Sequence, residues 1–187
     1  MSWANGLLGI RSKGSTTAKA GSLAGLHEAR QVHQSQFFTT VALSQFCWRL
    51  VEPMMNRIAE EEGIAEGKAR KLSVLDNSVG SGRLLHWANP EIHSLYGVDV
   101  DEGCIAALGE AAREAGFTYE FILTGMESIR PKDFDFCLIN PPFSINWGST
   151  EVDKDRRPVF QPKFAAERFP YGQVPLGSKK ADLMFLQ

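Results

Sequence analysis

Short apolar runs alternate with helix-type patterns along most of the chain. Four runs have the length and composition of β-strands, and they are residues 71–75, 95–98, 118–123 and 134–139. Helix-type patterns occupy residues 41–58, 83–88 and 102–115. An alternation of strands and helices predicts a parallel sheet with helices on both faces, which is a doubly wound α/β fold.

Two consecutive prolines follow the fourth apolar run. Pro141 and Pro142 fix two φ angles and remove two backbone donors, and a residue that precedes a proline is held in an extended conformation. The stretch from Asn140 to Phe143 therefore offers carbonyl oxygens and an Asn side chain beside an aromatic ring. Such a rigid acceptor site suits a planar group that carries an NH2.

Three stretches with polar or glycine residues begin where predicted strands end. They are residues 76–82 after the first strand, Asp99 after the second and residues 140–143 after the fourth. Ligands of a parallel α/β sheet bind beyond the carboxyl ends of its strands. We therefore expect these three stretches to contribute to one ligand site.

The loop at residues 76–82 contains Gly80 and Gly82, which permit positive φ and the approach of a ligand to backbone N–H groups. It lacks the Lys-Ser/Thr pair of a P-loop, and Leu85 stands where a dinucleotide fingerprint has its third glycine. Asp99 follows Gly82 by 17 residues, close to the spacing at which an acid reaches ribose hydroxyls. The pattern favours an adenosine ligand without a pyrophosphate. A Gly-Ser-Gly turn and an Asp helix cap are the structural alternatives.

Composition limits the class of protein. The chain has 187 residues, 43% of them hydrophobic, which suffices for one domain with a core. Its net charge of -2 argues against a polycation, so nucleic-acid binding needs a local patch. The mixed-charge run 151–157, with Lys163 and Arg168, is either such a patch or a solvated loop. The three cysteines and four histidines lack the spacing of disulfide frameworks or metal sites, so we expect no metal.

The ends and the apolar segments of the chain bear on its location. Residues 1–26 are rich in Gly, Ser, Ala and Thr and contain no acid, a bias of organelle transit peptides and of flexible linkers. We interpret them as a flexible N-terminal segment that precedes one domain at residues 27–187. Because no apolar run is long enough to span a bilayer, we expect a cytoplasmic protein with no membrane contact.

These motifs resemble the class I S-adenosylmethionine-dependent DNA adenine-N6 methyltransferases, in particular the modification subunits of type I restriction systems. The loop 76–82 is similar to the Asp-Pro-x-x-Gly-Ser-Gly element of that family, with Asn77 in place of the proline, and residues 140–143 match its Asn/Asp-Pro-Pro-Phe/Tyr signature. Residues 36–40 resemble a Phe-Tyr-Thr-Pro element with Thr40 in place of the proline. Residues 168–172 and 178–186 resemble two further stretches, so the similarity covers residues 31–187.

The resemblance implies a Rossmann-like class I methyltransferase fold and an S-adenosyl-L-methionine cofactor. Seven residues would bind the cofactor: Phe37, Thr39, Asp76, Ser78, Gly80, Gly82 and Asp99. Asp76 and the glycine loop would hold its methionine part, and Asp99 would bind its ribose hydroxyls. Thr39 and Phe37 would close over it.

The resemblance also implies the catalytic residues. The Asn140 side-chain oxygen and the Pro141 carbonyl would accept hydrogen bonds from the exocyclic amine of an adenine extruded from DNA, and Phe143 would stack on that base. Pro142 completes this rigid catalytic stretch. Two acceptors on an aromatic amine favour a pyramidal nitrogen and stabilise the positive charge that develops during methyl transfer.

The family's sheet continues beyond the motifs found here, and a separate region of those proteins reads the DNA sequence. The resemblance therefore implies that the C-terminal strands are missing and that residues 27–187 are a partial catalytic domain. It also implies that DNA is a partner, together with specificity and restriction subunits or the missing C-terminal region. Two alternatives remain: a glutamine-N5 protein methyltransferase, which uses the same acceptor motif, and a non-catalytic cofactor- or DNA-binding module. The stretches at residues 37–40 and 168–185 resemble the DNA methyltransferases, which favours DNA over a protein glutamine as the substrate.

Overall fold

The computed structural model of the chain describes residues 39–130, 132–143, 145–157 and 159–186. These residues form two compact units: the first contains residues 39–123 and 133–140, and the second contains residues 124–132 and 141–186 of the described ranges. The predicted N-terminal segment 1–26 and Phe37 lie outside the described residues, so what the sequence predicts for them stays a prediction.

Four parallel strands form the sheet of the first unit. They are β1 (Leu72–Asp76), β2 (His93–Asp99), β3 (Thr118–Leu123) and β4 (Phe136–Cys137), and they lie in the order β3-β2-β1-β4. The chain starts at the centre of the sheet, moves outward to β3 and returns to the other side of β1, which is the Rossmann-like order. The predicted parallel α/β fold is confirmed.

Two long helices accompany this sheet, and each begins at a side-chain cap. Helix α1 (Val41–Glu62) starts at Thr40, whose hydroxyl accepts a hydrogen bond from the Leu43 N–H at 3.3 Å, and ends at Gly63 with a φ of 66°. Helix α2 (Glu102–Glu114) starts at Asp101, whose carboxylate accepts a hydrogen bond from the Cys104 N–H at 3.0 Å. The caps explain why both helices begin where they do.

Both long helices pack on one face of the sheet, whereas the alternation of strands and helices predicted helices on both faces. Trp48 of α1 meets His93 of β2 edge to face, with ring centroids 5.5 Å apart, and Gly109 of α2 lies beside Tyr119 of β3. Side chains two apart on a strand share a face, and Leu95 is paired with Tyr119, so His93 and Tyr119 project from the same side. Each fully buried Val, Leu or Met side chain in this layer contributes about 1.5–3 kcal/mol. Its members include Trp48, Met55, Leu72, Val74, Leu95, Leu108 and Ala112.

The helix predicted at residues 83–88 is wrong. Successive tight turns replace it: the N–H groups of Gly82, Leu85 and Ala88 each donate to the carbonyl three residues earlier. A segment of this length provides too few hydrogen bonds to sustain a helix by itself. The adjacent Leu84 and Leu85 are both buried, and turns accommodate this more readily than a helix with one apolar stripe.

Strand β4 is shorter than the predicted run 134–139, because a side chain takes over part of its pairing. The carboxylate of Asp135 accepts hydrogen bonds from the Ser73 N–H at 2.7 Å and from the Ser73 hydroxyl at 2.8 Å. Past the ladder, the Leu138 N–H donates to the Leu75 carbonyl at 2.9 Å. The segment therefore stays fastened to β1 on both sides of a short ladder.

The second unit contains the short helices α3 (Ala165–Arg168) and α4 (Asp182–Phe185) and a 3-10 turn at Met126–Ser128. Trp147 is its central aromatic residue, with ring centroids 5.1 Å from Phe160 and 5.4 Å from Phe169. The Trp147 indole N–H donates to Gln173 Oε1 at 3.1 Å. None of the helices in the described ranges of the chain is long and apolar enough to cross a membrane.

Candidate functional site

The carboxyl ends of the central strands carry buried polar side chains. Asp76 is the last residue of β1 and Asp99 the last residue of β2, and their exposed fractions are 2% and 9%. Asn140 is the third residue after the end of β4 and is half-buried. The first unit thus brings polar side chains from three strand ends to the edge where ligands of such sheets bind.

The glycine loop is fastened to the end of β2. The Val79 N–H donates to the Val98 carbonyl at 2.9 Å, and the Gly80 N–H donates to Asp99 Oδ2 at 2.7 Å. Gly80 has a φ of 48°, a left-handed conformation that favours glycine. The loop therefore has a defined position above the sheet.

Asp99 has a role that the sequence interpretation missed. Besides the Gly80 N–H, its carboxylate accepts the Asp101 N–H at 2.9 Å through Oδ1, so it holds both the glycine loop and the turn into α2. The helix cap that the sequence offered as an alternative role for Asp99 belongs to Asp101. Each carboxylate oxygen has a second lone pair, so Asp99 retains the capacity to accept bonds from a ligand hydroxyl.

Gly82 and Gly97 are needed for packing. Gly82 has a φ of 70°, and a Cβ there would lie 2.2 Å from a methyl carbon of Leu108 in α2. A Cβ at Gly97 would lie 2.8 Å from the Phe121 ring and 3.0 Å from Val79. A glycine inside a strand signals such close approach, so Gly97 could have been found from the sequence. Gly82 sets the spacing between the loop and α2.

Asp76 is a carboxyl group with an unusual proton affinity. Burial raises its pKa to about 7, the charge of Asp99 acts in the same direction, and hydrogen bonds from Ser78 oppose the shift. The Ser78 N–H donates to Oδ1 at 3.1 Å, and the Ser78 hydroxyl oxygen lies 3.5 Å from the same atom. A cationic group placed beside Asp76 would favour its charged form.

Ser78 joins the glycine loop to Asn140. Its hydroxyl oxygen lies 3.2 Å from the Asn140 carbonyl oxygen and 3.5 Å from Asp76 Oδ1. A hydroxyl carries one proton, and the shorter distance favours the Asn140 carbonyl as its acceptor. The family resemblance implied only a cofactor-binding role for Ser78. No local sequence pattern indicated its bond to the Asn140 carbonyl.

Thr39 contacts the side chain of Asn140. Asn140 Nδ2 donates to Thr39 Oγ1 at 3.0 Å across 101 residues of sequence. Thr39 directly precedes Thr40, the cap residue of α1, so the start of that helix is connected to Asn140. Of the eleven site residues predicted, six are linked within the first unit by hydrogen bonds: Thr39, Asp76, Ser78, Gly80, Asp99 and Asn140.

The other predicted catalytic residues belong to the second unit. Pro141 and Pro142 are half-buried, and Phe143 is 46% exposed. The mixed-charge run 151–157 is exposed throughout. Arg168 is buried, donates to the Met126 carbonyl and lies over the Phe169 ring, and burial lowers its pKa. Arg168 therefore supports the interior of the second unit instead of extending an exposed cationic patch.

Within the described ranges, no group of three or more His, Cys, Asp or Glu side chains is placed to hold a metal ion.

No protein-family model matches the chain, and no curated protein sequence matches it. Among solved structures the chain is similar to the plantazolicin methyltransferase BpumL in complex with SAH, with 22% sequence identity and a TM-score of 0.31. The match covers 54% of this chain and 41% of that one, so the chain spans less than half of the protein it resembles.

Proposed function

We propose that the chain is the catalytic core of an S-adenosylmethionine-dependent methyltransferase that modifies the N6 amine of adenine in DNA, within a restriction-modification system. The observation that carries this proposal is the 3.2 Å hydrogen bond from the Ser78 hydroxyl to the Asn140 carbonyl. It joins the glycine loop, which the family resemblance assigns to the cofactor, to the stretch that the resemblance assigns to the acceptor amine.

The donor and acceptor groups at the strand ends are compatible with this cofactor, which when bound supplies a methyl group on a positively charged sulfur. Its amino group is a cation and its ribose hydroxyls are donors, whereas Asp76 and Asp99 offer carboxylate oxygens. Asp76 would bind the cation in its charged form, and Asp99 would use its remaining lone pairs for the ribose. The glycine loop fixes the distance between them.

Asn140 would act on the acceptor amine. The lone pair of an aromatic amine is delocalised into the ring, so the nitrogen is a weak nucleophile until acceptors hold its hydrogens. Asn140 Oδ1 and the Pro141 carbonyl would supply those acceptors. They would stabilise the positive charge on nitrogen as its lone pair forms the bond to the methyl carbon, while the bond from that carbon to sulfur breaks and its electron pair stays on the sulfur, which leaves as S-adenosylhomocysteine. The nitrogen then loses one proton to water. No strong base is required before transfer.

Phe143 is suited to a base that has left the duplex. Extruding an adenine costs a few kcal/mol, and stacking on an aromatic side chain returns about 1–3 kcal/mol. Phe143 is 46% exposed, so its ring is open to a planar partner. The same ring would also suit a glutamine amide, which is planar and carries an NH2.

Transfer of a labelled methyl group tests the proposal. The chain is incubated with tritium-labelled S-adenosylmethionine and with duplex DNA, single-stranded DNA or a glutamine-bearing release-factor protein, and binding of the cofactor is measured by calorimetry. Label in DNA adenine that disappears in Asn140→Ala supports the proposal. Label in a protein glutamine favours the glutamine-N5 alternative, and binding without transfer to either acceptor identifies a non-catalytic module; both results would overturn the proposal.

A further inference from the structure

The side-chain amide of Asn140 can be used in two orientations. An Asn amide has an oxygen end and an NH2 end of nearly equal shape, and a rotation of the terminal group exchanges them. An amine that carries only donors can be bound productively by the oxygen end. The NH2 end would place donor against donor, so the orientation of this amide decides whether the acceptor site works.

Thr39 is the residue that holds the NH2 end. Asn140 Nδ2 lies 3.0 Å from Thr39 Oγ1, and the oxygen and the NH2 of an amide diverge from the same carbon. A hydroxyl both donates and accepts, so Thr39 alone would tolerate either orientation. With a donor amine bound to the other end, only one arrangement pairs every donor with an acceptor: Nδ2 to Thr39 and the amine to Oδ1.

Thr39 directly precedes a helix start that several hydrogen bonds hold in place. Thr40 caps α1, and its carbonyl accepts the Ser44 N–H at 2.9 Å. The Ser44 hydroxyl donates to the Val41 carbonyl at 2.9 Å and accepts the Trp87 indole N–H at 3.1 Å. The first turn of α1 is thereby attached to the turns that follow β1. A group that must orient another is effective when its own support is rigid.

The backbone of Asn140 is held separately. The Ser78 hydroxyl contacts its carbonyl oxygen, whereas Thr39 contacts its side chain. Loss of the Thr39 hydroxyl should therefore release the amide group without displacing the backbone. That separation makes the role of Thr39 testable by substitution.

We propose that Thr39 is a positioning residue: once the substrate NH2 binds Asn140 Oδ1, the Thr39 hydroxyl accepts the Asn140 amide N–H and holds the amide in that orientation. This inference rests on the function proposed above, and it gives Thr39 a different role from the cofactor contact that the family resemblance implies. Removal of the hydroxyl would leave the amide N–H without its acceptor in the productive orientation, which we expect to lower kcat by roughly 10-fold to 100-fold.

Three variants separate this role from others. Thr39→Val keeps the shape of the side chain and removes the hydroxyl, and Thr39→Ser keeps the hydroxyl. Thr40→Val removes the adjacent cap of α1 and leaves the Thr39 hydroxyl in place. Thermal unfolding, calorimetric binding of S-adenosylhomocysteine, kcat and KM for methyl transfer, and the NMR signals of the Asn140 side-chain NH2, assigned by their loss in Asn140→Asp, are measured for each.

We expect Thr39→Val to lower kcat, to leave the Kd for S-adenosylhomocysteine within about twofold, and to shift the Asn140 NH2 signals, and we expect Thr39→Ser to restore all three. A weakened Kd with unchanged kcat would instead make Thr39 a cofactor contact and overturn the inference. If the wild-type chain transfers no methyl group, the proposed function fails, and the NMR signals still decide the hydrogen bond: unchanged signals in Thr39→Val overturn it, and shifted signals support it.

Discussion

Asp135 accepts hydrogen bonds from both the backbone N–H and the hydroxyl of Ser73, at 2.7 and 2.8 Å, ahead of a ladder of only two residues. Arg70 adds two bonds to the same carboxylate at 2.6 and 2.8 Å. Side-chain bonds from Arg70, with further bonds from Ser73, hold the pKa of Asp135 well below its usual range. Since the segment after β4 leads to Asn140, this contact supports the candidate site from the opposite end of the strand.

Asp135→Ala should lower the free energy of unfolding by about 1.5–3 kcal/mol, because it removes charge-assisted bonds and leaves the Ser73 N–H without its acceptor. Urea denaturation measures the loss. Arg70→Ala should cost less than Asp135→Ala, since that side chain is exposed and screened by solvent. The nearby exposed Asp133→Ala is the control. Equal losses in the Asp133 and Asp135 variants would contradict the assignment.

Gly82→Ala should destabilise the protein by about 2–4 kcal/mol, because the new Cβ meets Leu108 and the left-handed backbone strains any other residue. Gly67 offers a matched comparison: its φ is 72°, and nothing lies within 4 Å of a Cβ placed there. Gly67→Ala should cost about 1–2 kcal/mol through backbone strain alone. Thermal or urea unfolding that gave both variants the same loss would remove Leu108 from the explanation.

Asp76 should make the protein less stable as the pH rises from about 4 to about 7. Its folded pKa of about 7 lies above the ordinary value of 3.8, so the folded state binds more protons in that interval and stability is lost as the carboxyl ionises. The difference is on the order of 4 kcal/mol. Unfolding free energies of wild-type protein and Asp76→Asn, measured at several pH values, should differ in slope over this range. Parallel curves would contradict the raised pKa.

His93 should act in the opposite direction. Burial lowers its pKa from 6.5 to about 4. The Asn89 N–H donates to Nδ1 at 2.9 Å. The unfolded chain binds the proton first, so stability falls as the pH drops from about 6.5 to about 4. His93→Asn keeps an acceptor for the Asn89 N–H and should flatten this limb of the curve. A limb unchanged by the substitution would assign the acid sensitivity to other groups.

Cofactor binding should release protons near pH 7. At that pH about half of the Asp76 carboxyls are protonated, and a cationic amino group would drive them to ionise. Calorimetric titration with S-adenosylhomocysteine in two buffers of different ionisation enthalpy measures the number released. We expect up to about half a proton per ligand at pH 7 and a smaller number in Asp76→Asn. Binding with no proton release would place the amino group away from Asp76.

The order of strands was predictable because it rests on patterns within short windows of sequence. Apolar runs and turn residues identify each strand, and the chirality and connection rules then leave few arrangements. The helix at residues 83–88 was wrong because the same apolar residues suit turns, and residues this few carry too little periodicity to decide. Glycine positions were informative where the backbone is left-handed, as at Gly80 and Gly82.

The contacts that organise the candidate site could not be predicted in the same way. Thr39 and Asn140 lie 101 residues apart, and Ser73 and Asp135 lie 62 apart, so no periodic pattern connects them. The sequence identified the residue types that suit a ligand. It could not show that Thr39 and Ser78 both bind Asn140, or that Asp99 binds the Gly80 N–H, because those bonds depend on the assembled sheet.

The bond between the Gly80 N–H and Asp99 changes how substitutions at Asp99 must be interpreted. A variant such as Asp99→Ala would remove the proposed ribose contact and also free the glycine loop, so weakened cofactor binding in that variant would have two sources. Asp99→Asn keeps one oxygen for the Gly80 N–H and would separate the two sources. Affinity that is retained in Asp99→Asn and lost in Asp99→Ala would show that loss of loop anchoring causes the larger part of the weakened binding. If Asp99 also binds the ribose as proposed, one carboxylate serves both ligand recognition and the shape of the loop, and the two cannot evolve independently.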